Sequence, residues 1–391
     1  MSRMHPLAAA LALGTLVQAS AASAAELTVG MITTLSGPGA GLGVDIRDGF
    51  NLALEHLDGS FGPLDAKVIE VDDQQKPDVA VQLTERLLSR DGADIVTGTI
   101  WSNLALAMLP TVARAEKIYI SPNAGPSQLA GSQCNRHFFN TAFQNDAVHE
   151  ATGKVVADAG IGRVWLLAPN YPAGQDALRG FRSAYDPSGG EVVDEVYTQL
   201  GQLDYAAEIA AIQAAEPEAV YFFYPGGMGI AFLKQWAQAG VGDAIKLYAS
   251  AFSVSQDILP AVGAAALGVE NAAHWSPDLE AGINQRFVED FIAKYGRMPS
   301  LFAAQGYDTA LFIDAAATAA GGTDTDALIA GLESAEIDGT RGTIRLNTNH
   351  FPIQNFYLRE VVENDQGQLT NRIRGTVYED HPDAYVGQCE M

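Results

Sequence analysis

The sequence is short of positive charge, short of cysteine, and free of the local signatures of common enzyme families. Lys and Arg total 23 of 391 residues against 47 Asp and Glu, a formal net charge of −24. So acidic a surface repels phosphate backbones, which sets nucleic acid aside as a partner and otherwise serves solubility. No Gly-x-Ser-x-Gly elbow, Walker loop or His-Glu-x-x-His occurs, so the marks of an α/β hydrolase, a P-loop nucleotidase and a zinc protease are missing. The seven histidines are scattered, none at metal-ligand spacing, and neither a metal nor a cofactor is expected. A secreted α/β enzyme is the alternative of another class, because a nucleophile and its base can meet in space without being neighbours in sequence.

Long apolar runs are missing too. Arg3 and His5 open a short polar start, Leu7 to Ala19 is mostly Ala and Leu, and Ala22-Ser23-Ala24 is a small-x-small site. Thirteen residues fall short of the roughly 20 that cross a bilayer. Residues 1–24 therefore read as a cleaved secretion signal and the mature chain as a periplasmic protein. Cysteine is down to two, Cys134 and Cys389. In an oxidising compartment such a pair forms a disulfide, here one that fastens the C-terminal tail; two free thiols are the alternative.

What is present is an alternation of strands and helices. Short β-branched runs such as Leu27 to Ile32, Lys67 to Val71, Asp94 to Thr97 and Lys117 to Ser121 alternate with amphipathic segments. That pattern predicts parallel sheets covered on both faces. It begins again at Arg163 to Leu167, with later strands at Ala219 to Tyr224 and Lys246 to Ala249. The expected fold is α/β: two doubly wound lobes joined by several crossovers. One lobe takes residues 25–143 and 276–346, the other 144–275 and 347–391 with the tail. Two helices after Trp275, Ile283 to Tyr295 and Leu301 to Ala320, return to the first lobe, and the last strands read as antiparallel.

Gly37-Pro38-Gly39-Ala40-Gly41-Leu42-Gly43 follows a strand and opens a helix. A dinucleotide fingerprint requires Gly or Ala at its last position. Here the three registers end on Leu42, Val44 or Ile46, so the loop reads instead as a cleft rim where backbone approaches a ligand. Asp72-Asp73 reads as a solvated strand end, and His274 as an ordinary surface or core histidine.

Four segments carry a resemblance that spans the mature chain. They are Val29 to Gly43, Thr97-Gly98-Thr99-Ile100-Trp101-Ser102-Asn103, Ile120-Ser121-Pro122-Asn123-Ala124-Gly125-Pro126 and Asn170-Tyr171-Pro172-Ala173-Gly174-Gln175. In this order the chain resembles the type I periplasmic binding proteins of ABC importers, in the branched-chain amino acid class. The resemblance implies that Ser102, at a helix start between Trp101 and Asn103, receives a carboxylate. Asn123, Ala124 and Gly125 would present polar groups to the same anion, and Tyr171 would close over the ligand from the other lobe. Free backbone N–H groups at a helix start suit such an anion.

Three departures argue against an α-amino acid as ligand. The family's Thr in the second turn is Gly125 here, its Tyr in the first loop is Leu42, and its ammonium-binding acid falls in Ser250-Ala251-Phe252-Ser253, where there is none. A buried ammonium without a partner costs several kcal/mol, against about 8 kcal/mol for micromolar binding. Rings occupy the same region: Trp101, Phe252, Tyr224, and with less claim Phe143 and Trp275. The Trp-Ser-Asn and Ser-Pro-Asn-Ala-Gly-Pro-Ser wording is also similar to a subgroup that binds aromatic carboxylates. An aromatic or other amine-free organic acid is therefore the expected ligand, captured by hinge closure. Membrane permease subunits of an importer are the expected partners and a monomer the expected state. A binder of amino acids or amides, or a ligand sensor of the same fold, is the nearer alternative.

Overall fold

The computed structural model describes residues 25–242 and 244–391; the expected signal, 1–24, lies outside the described residues. The first strand, Glu26–Thr33, is buried over seven of its eight residues. It pairs in parallel with Leu64–Asp72 on one side and Ile95–Thr97 on the other, so both of its faces are covered, and the sequence reads as one apolar run rather than an alternation. Among the described residues the first sheet has six strands, in the order Ser60–Phe61, Leu64–Asp72, Glu26–Thr33, Ile95–Thr97, Ile118–Ser121, Phe138–Asn140.

The second sheet centres on Arg163–Pro169, Ala219–Phe222, Lys246–Ser250 and Glu270–Ala273, paired in parallel, with Glu191–Thr198 at one edge. At the other side Pro352–Glu363 runs antiparallel to Glu270–Ala273 and pairs with both Leu369–His381 and Gly342–Leu346. The two lobes are thus α/β units of mixed sheets, the second with an antiparallel extension built by the last part of the chain.

Each lobe is braced by two helices that cross almost backbone to backbone. In the first lobe Ala40–His56 meets Leu301–Ala320. A Cβ on Gly49 would stand 1.9 Å from the Ala303 carbonyl oxygen, and one on Gly306 would stand 2.1 Å from that of Ile46. In the second, Asn145–Asp158 meets Pro172–Tyr185, where Gly153 and Gly180 hold the same relation to Phe181 and Asp146, at 2.2 and 2.4 Å.

Cys134 and Cys389 are joined, with Cα atoms 5.6 Å apart and a separation of 255 positions in sequence. The tail that this bond fastens lays Tyr385 on the second lobe, where its hydroxyl accepts from Arg179 Nε at 2.8 Å and donates to Asp146 Oδ1 at 3.1 Å.

Asp72-Asp73 is not a solvated strand end. Asp73 is fully buried; its Oδ1 accepts from Thr34 Oγ1 at 2.6 Å and Gln75 N at 2.7 Å. Asp72 Oδ1 accepts from Leu35 N and Gln74 N, each at 2.9 Å. Burial raises the Asp73 carboxyl above the usual range, with the Thr34 bond opposing it. The two acids tie the Gly-rich loop to the end of the neighbouring strand, a long-range pairing with no signature in their own sequence.

Candidate functional site

The lobes meet on either side of a narrow cavity. Pro38 of the Gly-rich loop accepts a hydrogen bond from Gly227 N of the second lobe at 3.2 Å. The Trp101 and Tyr171 rings face each other across the boundary, centroids 6.1 Å apart, and Phe252 of the second lobe meets Phe302 of the first at 5.8 Å. The space between is about 20 Å³, room for roughly one water and too small for a ring-sized ligand as it stands. Trp101, Phe143, Tyr171, Phe223, Phe252 and Phe302 make its apolar wall, and Ser102, Asn123, Asn145 and His149 its polar one. Among the described residues no Asp or Glu lines it.

The anion end is built at the start of the helix Ser102–Arg114. Trp101 occupies the cap position without a side-chain cap bond, so Ser102 is the first helical residue and its hydroxyl is not spent on the helix. Instead Ser102 Oγ accepts from Asn145 Nδ2 of the other lobe at 3.1 Å, which leaves its own hydrogen free to donate. Asn145 Nδ2 also donates to Asp176 Oδ2 at 2.9 Å, and Asp176 takes Ser127 Oγ and N at 2.8 and 3.0 Å. Trp101 is oriented by a second chain: its Nε1 donates to Thr34 Oγ1 at 2.8 Å, and Thr34 donates to Asp73. Gly39 is required beside it, since a Cβ there would stand 2.8 Å from Trp101 Cζ2.

The sequence-predicted residues divide. Trp101, Ser102, Asn123, Tyr171, Phe252 and Phe143 are brought together on the cavity wall. Asn123 Nδ2 donates to Gln305 Oε1 at 2.8 Å. Burial, with the Asp176 charge nearby, pushes the Tyr171 phenol well above its ordinary value, so it stays a neutral hydroxyl.

Four positions, with Trp275, fall elsewhere. Ala124 N is given to the Thr99 carbonyl at 3.3 Å and Gly125 N to Asn145 Oδ1 at 3.2 Å, so neither backbone donor is available to an anion; their work is to hold the turn and Asn145. Asn103 does not line the cavity, since it lies one residue further round the helix. Tyr224 points to the far face of its strand, where its hydroxyl meets Thr198 Oγ1 at 3.1 Å and its ring packs on Tyr205 and Phe232. Phe223 takes the cavity side in its place. Successive side chains past the strand Ala219–Phe222 alternate faces, and Tyr224 has the parity of Phe222. Trp275 is core: its Nε1 donates to Asn284 Oδ1 at 2.7 Å and its ring meets Phe287. His274 is buried behind Phe143, its Nε2 at 3.2 Å from Gln305 Nε2.

Asn145, His149, Phe223 and Phe302 are on the wall without having been foreseen. For the first pair a signal existed, an Asn and a His four residues apart at the start of a helix, which places both on one face.

A model of the periplasmic binding proteins matches residues 26–368. The chain belongs to the periplasmic binding protein family. Among solved structures, this binding protein is similar to a solute-binding protein of an ABC transporter from R. palustris in complex with benzoate. The two are 31% identical over 94% of this chain and 100% of that one, with a TM-score of 0.87. A solute-binding protein from Rhodopseudomonas palustris BisB5 in complex with 3,4-dihydroxybenzoic acid is 28% identical over 92% and 99% of the two chains, TM-score 0.87. Among curated proteins, a Leu/Ile/Val-binding protein homologue from Brucella melitensis is 27% identical over 90% of this chain and 92% of its own length. The family carries solutes rather than transforming them, and its members work in the periplasm, so this binding protein is no enzyme.

Proposed function

We propose that this binding protein captures a small aromatic carboxylate between its lobes and presents the closed form to the permease subunits of an ABC importer. One observation carries the ligand class: a cavity walled by aromatic rings, with a free serine hydroxyl at a helix start and no acid to pair an ammonium. A carboxylate suits the helix start by charge and by hydrogen bonding. A flat ring burying on the order of 100 Å² gains about 2.5 kcal/mol by desolvation, and ring contacts add about 1 kcal/mol. An α-amino acid would bury its ammonium against Phe143, Phe223 and Phe252, at a cost of several kcal/mol.

The benzoate and dihydroxybenzoate complexes of two similar proteins support this choice over the amino acids named for the curated relatives. Isothermal calorimetry of the full chain with benzoate and with leucine is the test. Benzoate binding at micromolar or tighter, with leucine silent, is the expected result; tight leucine binding with benzoate silent overturns the assignment.

A further inference from the structure

Most polar groups on the cavity wall already have a task. Asn123 is held by Gln305, Asn145 is shared between Ser102, Asp176 and Gly125, and Ser102 stands at the anion end. His149 remains. It is 1% exposed and lies edge-on to Phe223, centroids 4.9 Å apart, and tilted against Phe252 at 6.2 Å. Its Nδ1 is in hydrogen-bond contact with Tyr221 Oη, while Nε2 has no protein partner among the described residues. His149 follows Asn145 by four residues on the helix Asn145–Asp158, so the two share a face about 6 Å apart along the axis. Asn145 marks the anion end through Ser102, and His149 marks a second polar point one turn further along.

We propose that His149 determines specificity for the ring: its Nε2 pairs with a ring-borne hydroxyl, so that a hydroxylated aromatic acid is preferred over a bare one. The inference rests on the aromatic-carboxylate assignment above and adds a substituent to it. Tyr221 fixes one nitrogen and thereby aims the other. Burial keeps the imidazole neutral, its pKa pushed down to about 3. A hydroxyl both donates and accepts, so it satisfies Nε2 whichever nitrogen carries the proton. A bare ring leaves Nε2 buried and unpaired, which is unfavourable. A second carboxylate would be buried against a neutral ring and two phenylalanines.

The test is calorimetry of the full chain with benzoate, 3-hydroxybenzoate, 4-hydroxybenzoate and leucine, on the native sequence, His149→Phe, His149→Gln and Tyr221→Phe. One hydroxybenzoate is expected to bind the native protein about tenfold tighter than benzoate, equivalent to about 1.4 kcal/mol. His149→Phe brings that ratio to about one, and His149→Gln, which keeps a polar tip, retains part of it. Tyr221 is a positioning residue, so Tyr221→Phe lowers the ratio while benzoate affinity holds, which a merely structural role would not do. A native ratio near one, or a ratio unchanged in His149→Phe, overturns the assignment to His149 while benzoate binding keeps the ligand class standing. Should His149→Phe fail to fold, the ratios in His149→Gln and Tyr221→Phe decide. Binding of leucine alone removes both inferences together.

Discussion

Ser102 shows how much a single hydroxyl depends on its neighbours. It is freed from helix capping, held by Asn145 across the lobe boundary, and left with one hydrogen to give. Ser102→Ala is expected to weaken benzoate binding at least tenfold, since hydrogen bonds to charged groups contribute about 1.5–3 kcal/mol; calorimetry measures it. The buried histidines make a separate prediction. Burial holds His149 near pKa 3 and His274 well below its ordinary value, whereas an unfolded chain's histidines titrate near 6.5. Below that pH the unfolded state takes up protons that the folded state refuses. The contribution of these two histidines to stability is therefore complete above about pH 6.5 and falls as pH drops towards 3. Urea midpoints measured over that range should shift towards lower stability on acidification by less in His149→Phe than in the native protein. Tyr224 carries the opposite lesson, because a one-residue error of parity turns a side chain to the other face of its sheet.

The two helix crossings explain why Gly49, Gly153, Gly180 and Gly306 stand inside helices, where glycine is otherwise unfavourable by about 1 kcal/mol. Each lies where a methyl group would strike a carbonyl of the partner helix. Gly306→Ala is expected to force the first pair apart and to destabilise by about 1–3 kcal/mol, the usual range for overpacking, read as a lower urea midpoint. In the second lobe the same crossing sets Asn145 and His149 on one helix against the Tyr171 turn that opens the other, so Gly180→Ala should weaken binding as well as stability. The tail is an element of its own. Its bond to Cys134 closes a loop of 255 residues, for which chain entropy allows about 5 kcal/mol at most. Cys389→Ser should therefore lower the thermal midpoint, and a reducing agent should lower that of the native protein but not of the variant.

At the scale of the molecule the proposed capture requires closure, and hydrogen bonds and ring contacts hold the two lobes together across their boundary. Pro38 on Gly227, Trp101 on Tyr171 and Phe252 on Phe302 span the boundary. Gly227→Val adds bulk where a Cβ already approaches Pro38 at 3.1 Å, and its backbone angle is one that valine accepts. Such a wedge lowers the closed fraction, and apparent affinity falls in proportion to that fraction. Benzoate affinity is expected to fall tenfold or more with the thermal midpoint of the free protein unchanged. Small-angle scattering should show compaction on benzoate addition in the native protein and not in Gly227→Val.

Local physics was enough to determine the elements. Apolar runs and helical periodicity marked the strands Glu26–Thr33 and Arg163–Pro169 and the helices after Trp275 close to their observed bounds, because burial on one or two faces imprints itself on neighbouring residues. The roles expected of the Trp101-Ser102 turn and the Tyr171 ring came from the resemblance to the binding-protein family, to which local pattern added only that Ser102 stands at a helix start. Tertiary structure alone decided which way Phe223 and Tyr224 point, that the Ala124 and Gly125 amides are already taken, that Asp73 is buried, and that Asn145, His149 and Phe302 join the wall. Those outcomes depend on pairings between residues tens to hundreds of positions apart, and a linear pattern holds no record of which distant group satisfies a given donor.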